Sequence, residues 1–268
     1  MNEKITLYTE DDFAGLRRAG QLAAACLDYI EPYVEPGVNT EHLNTLCHNF
    51  ILDHGALPAP LNYRGFPKSI CTSVNHVICH GIPVDTHILR EGDIINIDVT
   101  VILDGWYGDT SRMYGVGDKI PVKAKRLCTV TWNSLNYALD VVRAGATLGD
   151  VGYAIQRYVE GMRMSVVRVF VGHGIGREFH EAPHVFHFGT PGAGVKLKKG
   201  MVFTIEPMVN FGRPEMKMLS DGWTAITRDR SLSAQYEHML AVTDDGLEVF
   251  THSPDSRGLQ DKLHHQNG

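Results

Sequence analysis

The chain contains 268 residues, of which 43% are hydrophobic and 21% are charged, and its formal net charge is −6 at pH 7. This balance is typical of a globular protein with a large core, and the negative charge leaves no global basic footprint for nucleic-acid binding, so we expect no DNA partner, while local basic patches stay open. No segment approaches the roughly 18 consecutive apolar residues of a membrane span, and the charged start MNEKITLYTEDD lacks the apolar stretch of a signal peptide. We therefore expect a cytoplasmic protein that does not contact membranes. The five cysteines show no CxxC spacing, which favours reduced thiols.

The first half of the chain is predicted to contain two helices followed by strands. Thr9 and Asp12 have the spacing of a capping box, and the helix that they begin ends before Gly37. A second helix is predicted to start near Thr40 and to stop at Gly55. Strands should follow at residues 69–74, 93–102 and 106–116.

The second half shows the same order of elements. Helices are predicted from residue 122 to 143, and from Thr147 to residue 162 with Asp150 completing a second capping box. Strands are predicted at residues 165–172, 201–209, 223–227 and 236–243. The polar residues from Ser253 to Gly268 have no hydrophobic periodicity, so we expect a disordered tail there.

Two pairs of segments recur at one spacing. LREGDIINID begins at residue 89, and the similar LKKGMVFTIE begins 108 positions later, at residue 197. Gly37 and Gly145, each between two predicted helices, are also 108 positions apart. We infer an α+β fold of two units, each a helix pair with an antiparallel sheet, related by a pseudo-twofold axis and most simply forming one curved sheet backed by helices. One domain would span residues 1–252, with repeats at about 9–115 and 119–250.

The stretch NIDVTVILDGWYGDTSR reads as a hairpin that carries two aspartates. Asp104 and Gly105 are a strong signal for a two-residue loop, because both positions must tolerate positive φ. Pairing outward from this loop sets Thr100 opposite Asp109, with Asp98 diagonal to Asp109 on the same face, roughly 7 to 8 Å away at the backbone. Two carboxylates this close repel each other, so they suggest a shared proton or a metal site, with a solvated strand face as the alternative.

Three more residues favour the metal interpretation. Glu206 is the counterpart of Asp98 in the repeat, so a pseudo-twofold axis would bring the two acids together. Glu237 is another acid within an apolar run, and acids at such positions are rarely buried unless they are paired or bind metal. His173 lies between glycines, which we expect to let backbone and ligand approach closely. Four carboxylates and one imidazole predict a site for two metal ions.

The other histidines fall into two groups. His80 and His180 each follow an apolar stretch and begin a turn, where a side chain can face a cleft, although the spacing alone fits a surface position equally well. Seven others are expected on the surface or in loops: His76, His87, His184, His187, His252, His264 and His265.

Five segments in this order, NHVICHGIP, NIDVTVILDGWYGDTSR, GHGIGREFHEAP, FTIEPMV and SAQYEHMLAVT, resemble the methionine aminopeptidases of the bacterial type I class. The resemblance runs from about residue 5 to 252, and it implies the pita-bread fold and two divalent ions, either Co, Mn, Fe or Zn. By similarity, the metal ligands are Asp98, Asp109, His173, Glu206 and Glu237, with Asp109 and Glu237 bridging both ions.

The same resemblance implies the remaining site residues. His80, His180 and Glu206 would act in catalysis, and the two histidines would also contact the substrate. The pocket for the methionine side chain would consist of Tyr63, Phe66, Cys71, Phe179 and Trp223. Phe66 and His76 differ from the residues common in this class, and Phe66 removes a hydroxyl from the pocket.

The resemblance further implies partners, and two alternatives stay open. The substrate would be the N-terminal methionine of nascent polypeptides, cleaved by a monomer that contacts the ribosome transiently, with Lys196, Lys198 and Lys199 as candidates for that contact. An aminopeptidase P or prolidase would share the five ligands, although HGIGREFHEAP and SAQYEHML favour the methionine class. A non-catalytic peptide-binding homologue would typically lack ligands, and none is missing here.

Overall fold

The computed structural model describes residues 4–253, so all but the first residue of the predicted C-terminal tail lies outside the described residues. Within this range the chain forms four α-helices: α1 Glu10–Ile30, α2 Thr40–Asp53, α3 Val122–Leu139 and α4 Leu148–Gly161. All four were predicted, and α3 ends four residues before the predicted 143. None of the helices described has the length and apolar character that a bilayer crossing requires.

Single side chains set the helix starts. The Thr9 hydroxyl accepts the N–H of Asp12, and the Asp12 carboxylate accepts the N–H of Thr9. Thr147 and Asp150 form the same reciprocal pair at the start of α4. These bonds satisfy N–H groups that the first helical turn leaves without a partner. Both predicted capping boxes are therefore present.

Fifteen strands occur between residues 4 and 253, and they pair into four sheets. They are β1 Leu57–Pro58, β2 Cys71–Val74, β3 Val77–Cys79, β4 Ile94–Leu103, β5 Trp106–Gly115, β6 Ser165–Val166, β7 Gly172–Gly174, β8 Glu181–Val185, β9 Val202–Ile205, β10 Met208–Asn210, β11 Met216–Met218, β12 Ala225–Thr227, β13 Ser233–Gln235, β14 His238–Val242 and β15 Leu247–Val249. The sheets have the orders β1-β4-β2 with β5 also on β4, β13-β10-β6, β11-β12-β3, and β15-β14-β9-β7-β8. The predicted single curved sheet is therefore divided.

Two of the breaks between strands occur at acidic residues. The predicted strand 201–209 is split at Glu206 and Pro207 into β9 and β10, because proline has no N–H to donate to a neighbouring strand. The facing run is split at Glu237, between β13 and β14. The registers of β9 with β14 and of β10 with β13 continue across this gap and place Glu206 opposite Glu237.

Strands β4 and β5 form the predicted hairpin. The two residues of its Asp-Gly loop have φ values of 52° and 74°. Thr100 pairs with Asp109, as the sequence predicted, so Asp98 and Asp109 share one face. On the other side of β4, Cys71 lies directly opposite Asp98. The hairpin therefore places both aspartates and a thiol side by side.

The two halves repeat the same backbone hydrogen bonds. The N–H of Gly37 donates to the Leu89 carbonyl oxygen at 2.8 Å, and the N–H of Gly145 donates to the Leu197 carbonyl oxygen at 3.0 Å. The φ values of the two glycines are 94° and 92°, a region that glycine adopts most readily. The duplicated architecture is therefore present in the backbone, whereas the domain and repeat bounds stay a prediction.

Helix α1 packs tightly on the strand that carries Asp109. Buried apolar residues form one large cluster beneath α1 and α2 and another beneath α3 and α4. At Gly108 an added Cβ would lie 2.3 Å from both the backbone carbon and the oxygen of Ala19 in α1. Only glycine lets the helix approach this closely, so α1 directly constrains the position of Asp109.

Gly108→Ala should destabilise the fold by about 1–3 kcal/mol or more, because the methyl group meets rigid backbone. The measurement is the melting temperature, which should fall by several degrees. Gly161→Ala is the matched control, since its added Cβ meets nothing within 4 Å. Equal melting temperatures for the two variants would show that the close approach of α1 is unimportant.

Candidate metal centre

One cavity of about 300 Å³ brings together all twelve residues that the sequence and the resemblance assigned to the site. Its wall includes the candidate ligands Asp98, Asp109, His173, Glu206 and Glu237, the histidines His80 and His180, and the pocket residues Tyr63, Phe66, Cys71, Phe179 and Trp223. These residues come from both halves of the chain. The cavity therefore exists only because the two halves pack together.

Direct hydrogen bonds between the halves position the acids. The N–H of Glu237 donates to the carbonyl oxygen of Ser111 at 3.2 Å. The Thr110 hydroxyl donates to the carbonyl oxygen of Glu237 at 2.7 Å. Because both bonds join Glu237 to β5, they hold its side chain beside the hairpin that carries Asp98 and Asp109.

His173 presents one unprotonated ring nitrogen to the acids. Its Nδ1 donates to the carbonyl oxygen of Gly174 at 3.0 Å, so Nε2 carries the lone pair. This Nε2 lies 3.6 Å from Asp109 Oδ2 and 3.7 Å from Glu206 Oε1. Burial lowers the pKa of His173 to about 4, so the ring is neutral at pH 7.

The glycines beside His173 serve strand packing. An added Cβ at Gly172 would lie 2.4 Å from the carbonyl oxygen of Thr204, and one at Gly174 would lie 2.2 Å from that of Ala182. Strands β8 and β9 thus approach β7 too closely for any side chain at either position. The sequence assigned these glycines to ligand approach, and the structure gives them a packing role instead.

Burial raises the pKa of all four carboxyl groups. It raises the pKa of Asp98 to about 7 and that of Glu206 to about 8. The pKa values of Asp109 and Glu237 lie well above their ordinary values, through burial first and repulsion from the neighbouring acids second. Both of these side chains are almost completely buried. Four ionised carboxylates here require an opposite charge.

The donor atoms fit a divalent cation. One possible ligand atom from each of Asp109, His173 and Glu237 lies within 4.8 Å of the other two. When the acids are ionised, every atom facing another in this cluster is an acceptor and none is a donor. No ion pair within residues 4–253 joins the four acids to a lysine or arginine. Oxygen donors with one imidazole suit Mn, Fe, Co or Zn.

Uncharged side chains orient two of the acids. The hydroxyl of Thr100 donates to Asp109 Oδ1 at 2.8 Å, and the hydroxyl of Thr204 donates to Glu206 Oε1 at 2.8 Å. The Gln235 side-chain amide donates to Glu206 Oε2 at 3.2 Å. Such bonds fix the direction of a metal ligand without neutralising its charge.

His187 was expected on the surface or in a loop, and it lies in the bend after β8 but is buried rather than on the surface. Its ring is completely buried, and its Nε2 accepts the backbone N–H of Glu206 at 3.1 Å. Val185 and His187 are buried while His184 and Phe186 are exposed, which continues the alternation of β8. That alternation was the signal in the sequence that could have identified His187. His187 holds the backbone of Glu206 at the gap between β9 and β10.

The other histidines that were expected on the surface or in loops agree better with that expectation. His87, His184 and His252 are exposed, His76 is partly buried, and His264 and His265 lie outside the described residues.

The end of the cavity away from the acids is aromatic. The edge of Phe66 packs against Trp223 with 5.2 Å between ring centres, and the ring of His80 lies 6.2 Å from that of Trp223. Cys71 links this end to Asp98, its partner across the sheet. Burial lowers the pKa of His80 to about 4 and raises that of the Cys71 thiol, so both groups are neutral. An uncharged pocket therefore adjoins the acids.

His180 lies beside the acids and is neutral. Its ring centre is 4.2 Å from that of His173, and its Nδ1 is 2.9 Å from the Tyr63 hydroxyl oxygen. Burial lowers the pKa of His180 to about 3. If the Tyr63 O–H donates to Nδ1, the ring hydrogen is on Nε2. His180 is then a hydrogen-bond donor at neutral pH.

The turn before His180 is held by a carboxylate that sequence reasoning missed. Glu181 Oε1 accepts the Tyr8 hydroxyl at 2.7 Å and the N–H groups of Arg177 and Glu178 at 3.1 Å each. The bond from Tyr8 ties the turn to the N-terminal segment, and the other two close the turn itself. Glu181 and Tyr8 are far apart in the sequence, so no local pattern revealed their contact.

Eight further residues line the cavity without having been predicted. They are Pro60, Arg64, Cys79, Thr100, Val169, Phe170, Val171 and Met208. Most are apolar, and nothing in their spacing separates a cavity wall from ordinary core.

The chain is similar to known proteins over most of its length. It matches metallopeptidase family M24 over residues 14–244. A protein named methionine aminopeptidase from Rickettsia prowazekii (strain Madrid E) is 59% identical over 251 residues, which covers 93% of this chain and 96% of the relative. The crystal structure of methionine aminopeptidase from Rickettsia prowazekii aligns with a TM-score of 0.91 at 59% identity, over 93% of this chain and 100% of that one. An Xaa-Pro dipeptidase from Bacillus anthracis aligns with a TM-score of 0.72 at 22% identity, over 93% of this chain and 63% of that one, which shows a shared fold alone.

The fold and the buried acid and imidazole cluster define a hydrolase that uses divalent metal. The chain belongs to metallopeptidase family M24 and has its pita-bread fold. The fold class, the enzyme class and the use of divalent metal predicted from the sequence are confirmed.

Raising the pH from 6.5 to 8 should lower the melting temperature of the chelated protein by several degrees. Asp98 and Glu206 have folded-state pKa values of about 7 and 8, above the ordinary 3.8 and 4.5. Their contribution to stability is complete below the ordinary values and is lost as the pH rises through the folded values. The buried histidines have lowered pKa values and act in the opposite sense, but only below about 6.5.

Thermal melts in EDTA across this pH range, repeated with Mn²⁺, test this expectation. Mn²⁺ should restore the melting temperature at pH 8, because it binds the folded state. Asp109→Asn removes one repelling charge while keeping the shape, so its metal-free form should be more stable than wild type and should gain less from Mn²⁺. An Asn variant that matches the wild type with and without metal would show that Asp109 is not part of a metal site.

Proposed function

We propose that this protein is a methionine aminopeptidase, which removes the N-terminal methionine from nascent proteins and peptides. The observation that carries the proposal is the cavity, in which the acid and imidazole cluster adjoins an enclosed, uncharged pocket. A flexible, polarisable methionine side chain suits the aromatic rings of Phe66 and Trp223 and the thiol of Cys71. The Rickettsia relative that carries this name, at 59% identity, supports the same substrate.

Five residues would hold two divalent ions, drawn from Co, Mn, Fe and Zn. They are Asp98, Asp109, His173, Glu206 and Glu237. When bound, such ions activate a water molecule and polarise the scissile carbonyl group. The free α-amine of the substrate binds beside the same acids, which restricts cleavage to the first residue.

Three side chains move or share protons during the reaction. Glu206, oriented by Thr204 and Gln235, accepts a proton from the attacking water and passes it to the leaving amine. His180 donates a hydrogen bond to the scissile carbonyl oxygen as that atom gains negative charge. His80 hydrogen-bonds near the scissile nitrogen. Because both histidines stay neutral at pH 7, their donor role does not depend on pH in this range.

The proposal also covers the cellular location, the oligomeric state and the ribosome contact of the protein. The protein acts in the cytoplasm as a monomer, on polypeptides that are leaving the ribosome. A transient contact with the ribosome would involve Lys196, Lys198 and Lys199. Their positive charges suit the phosphate backbone of ribosomal RNA.

Metal-reconstituted protein incubated with Met-Ala-Ser and Ala-Pro peptides tests the activity. Methionine should be released from Met-Ala-Ser, and the proline peptide should stay intact. Cleavage of the proline peptide alone would replace the proposal with an aminopeptidase P or prolidase. No turnover with Co, Mn, Fe or Zn would identify a non-catalytic peptide-binding homologue.

His180→Ala should lower kcat roughly 10²-fold or more, the typical effect of losing one donor to a developing oxyanion. The metal content of the variant, measured by elemental analysis, should stay at the wild-type level. His87→Ala, at an exposed loop position away from the cavity, is the control and should keep full activity. Loss of metal from the His180 variant would mean that this residue is a ligand.

A further inference from the structure

We propose that Arg64, at the rim of the cavity, determines specificity by binding a substrate carboxylate two or three residues beyond the terminal methionine. The inference rests on the proposed function, because it concerns the same peptide substrate. Nothing in the reasoning from the sequence singled out this residue.

Arg64 is exposed and has no carboxylate partner among the residues described. Within residues 4–253 it is the only lysine or arginine in the wall of the cavity. None of the ion pairs found within residues 4–253 includes it. A guanidinium group binds a carboxylate through two parallel hydrogen bonds. The guanidinium group of Arg64 can therefore bind an acidic ligand in this way.

The guanidinium group is held next to the cavity. Its central carbon lies 5.3 Å from the centre of the Tyr63 ring, within the range of a cation–π contact. Tyr63 in turn contacts His180 through its hydroxyl group. The contact with a ring face leaves the guanidinium N–H groups free to bind a ligand.

The backbone supports the same conclusion. Arg64 has φ 49° and Asn62 has φ 66°, so two non-glycine residues of one turn lie in the left-handed region. The N–H of Asn62 donates to the Phe66 carbonyl oxygen at 2.7 Å, and the N–H of Phe66 donates to the Tyr63 carbonyl oxygen at 2.9 Å. Phe66 anchors this turn in the wall of the cavity. Strain that persists at the rim of a site is typical of residues with a function.

The distance from the acids to Arg64 matches a short extended peptide. The ring of His180 lies 4.2 Å from that of His173, the ring of Tyr63 lies 5.2 Å from His180, and the Arg64 guanidinium lies 5.3 Å beyond. An extended peptide advances about 3.3 Å per residue, so these steps span at most about four residues. With the scissile bond beside the acids, the carboxylate within reach lies no further along the substrate than the fourth residue, and we assign it to the third or fourth.

Two sources can supply this carboxylate. One is the side chain of an aspartate or glutamate, and the other is the C-terminal carboxylate of a very short peptide. The net charge of −6 works against both, because the field of the whole protein favours basic peptides. A preference for acidic peptides must therefore come from a local cation.

The test compares kcat/KM for amidated peptides that differ at one residue. Met-Ala-Asp-amide, Met-Ala-Asn-amide and Met-Ala-Lys-amide separate the side-chain charge, and Met-Ala-Asn with a free C-terminus separates the terminal carboxylate. The wild type should prefer aspartate over asparagine about threefold, as expected for an exposed ion pair, and 0.5 M salt should reduce the ratio towards one. The free C-terminus should raise kcat/KM over the amide by a similar factor.

Substitutions of Arg64 test whether this residue causes the preference for aspartate. The Asp-to-Asn ratio should fall to about one in Arg64→Gln, and Arg64→Glu should prefer the lysine peptide. Arg64→Lys keeps the charge and should retain a ratio above one. Arg18→Gln, on the exposed face of α1 and paired with Asp104, is the matched control and should keep the wild-type ratio.

The outcomes separate this inference from the proposed function. If no methionine peptide is cleaved, the proposed function fails and the inference fails with it. If all are cleaved and the ratios are equal in the wild type, Arg64→Gln and Arg64→Glu, the inference alone is overturned. Since the ratio is measured within each variant, a general loss of stability or activity does not affect it.

Discussion

Four carboxylates in the wall of one cavity impose the main constraint on this molecule. Burial raises the pKa of all four, and repulsion adds to this for Asp109, Glu206 and Glu237, so full ionisation of the set at neutral pH requires a cation among them. The bonds that hold them come from threonine hydroxyls, an amide and backbone groups, all without charge. A lysine or arginine in these positions would neutralise the acids and compete with metal. The neutral surroundings therefore preserve the affinity for a divalent ion.

The two halves meet this constraint in different ways. The first half supplies Asp98 and Asp109 from an uninterrupted hairpin. The second half supplies Glu206 and Glu237 from a gap in two facing strands, where Pro207 ends the pairing and the register still sets the two acids opposite each other. The two halves share a duplicated backbone architecture, but they present their acids from different kinds of element. His173, on the short strand β7, adds the only imidazole that faces Asp109 and Glu206 in the described ion pairs.

The cavity changes character from its acids to its rim. Beside the acids lie neutral histidines, since burial keeps the pKa values of His80 and His180 far below 7. The rings of Phe66 and Trp223 form an aromatic part of the same wall. At the rim, Arg64 is the only lysine or arginine that the described part of the chain contributes to the wall. A peptide bound along this path would be selected by its amine and first side chain deep in the cavity, and by charge at the rim.

The local features could be predicted from the sequence, because their causes lie within a few residues. The Asp-Gly loop set the register of the hairpin and hence the shared face of Asp98 and Asp109. The capping boxes set the starts of α1 and α4, and the spacing of Gly37 and Gly145 revealed the duplication. The segments resembling methionine aminopeptidases also identified twelve residues that line one cavity, although their individual roles stay a proposal.

Features that depend on contacts between residues distant in the sequence could be seen only in the folded protein. The division into four sheets follows from pairing partners that no single segment specifies. The burial of His187 against Glu206, the bonds from Tyr8 to Glu181 and the position of Arg64 beside Tyr63 are of the same kind. Each depends on which surfaces meet when the halves pack. A pattern within one strand or turn carries information about its own faces, but not about the partner that covers them.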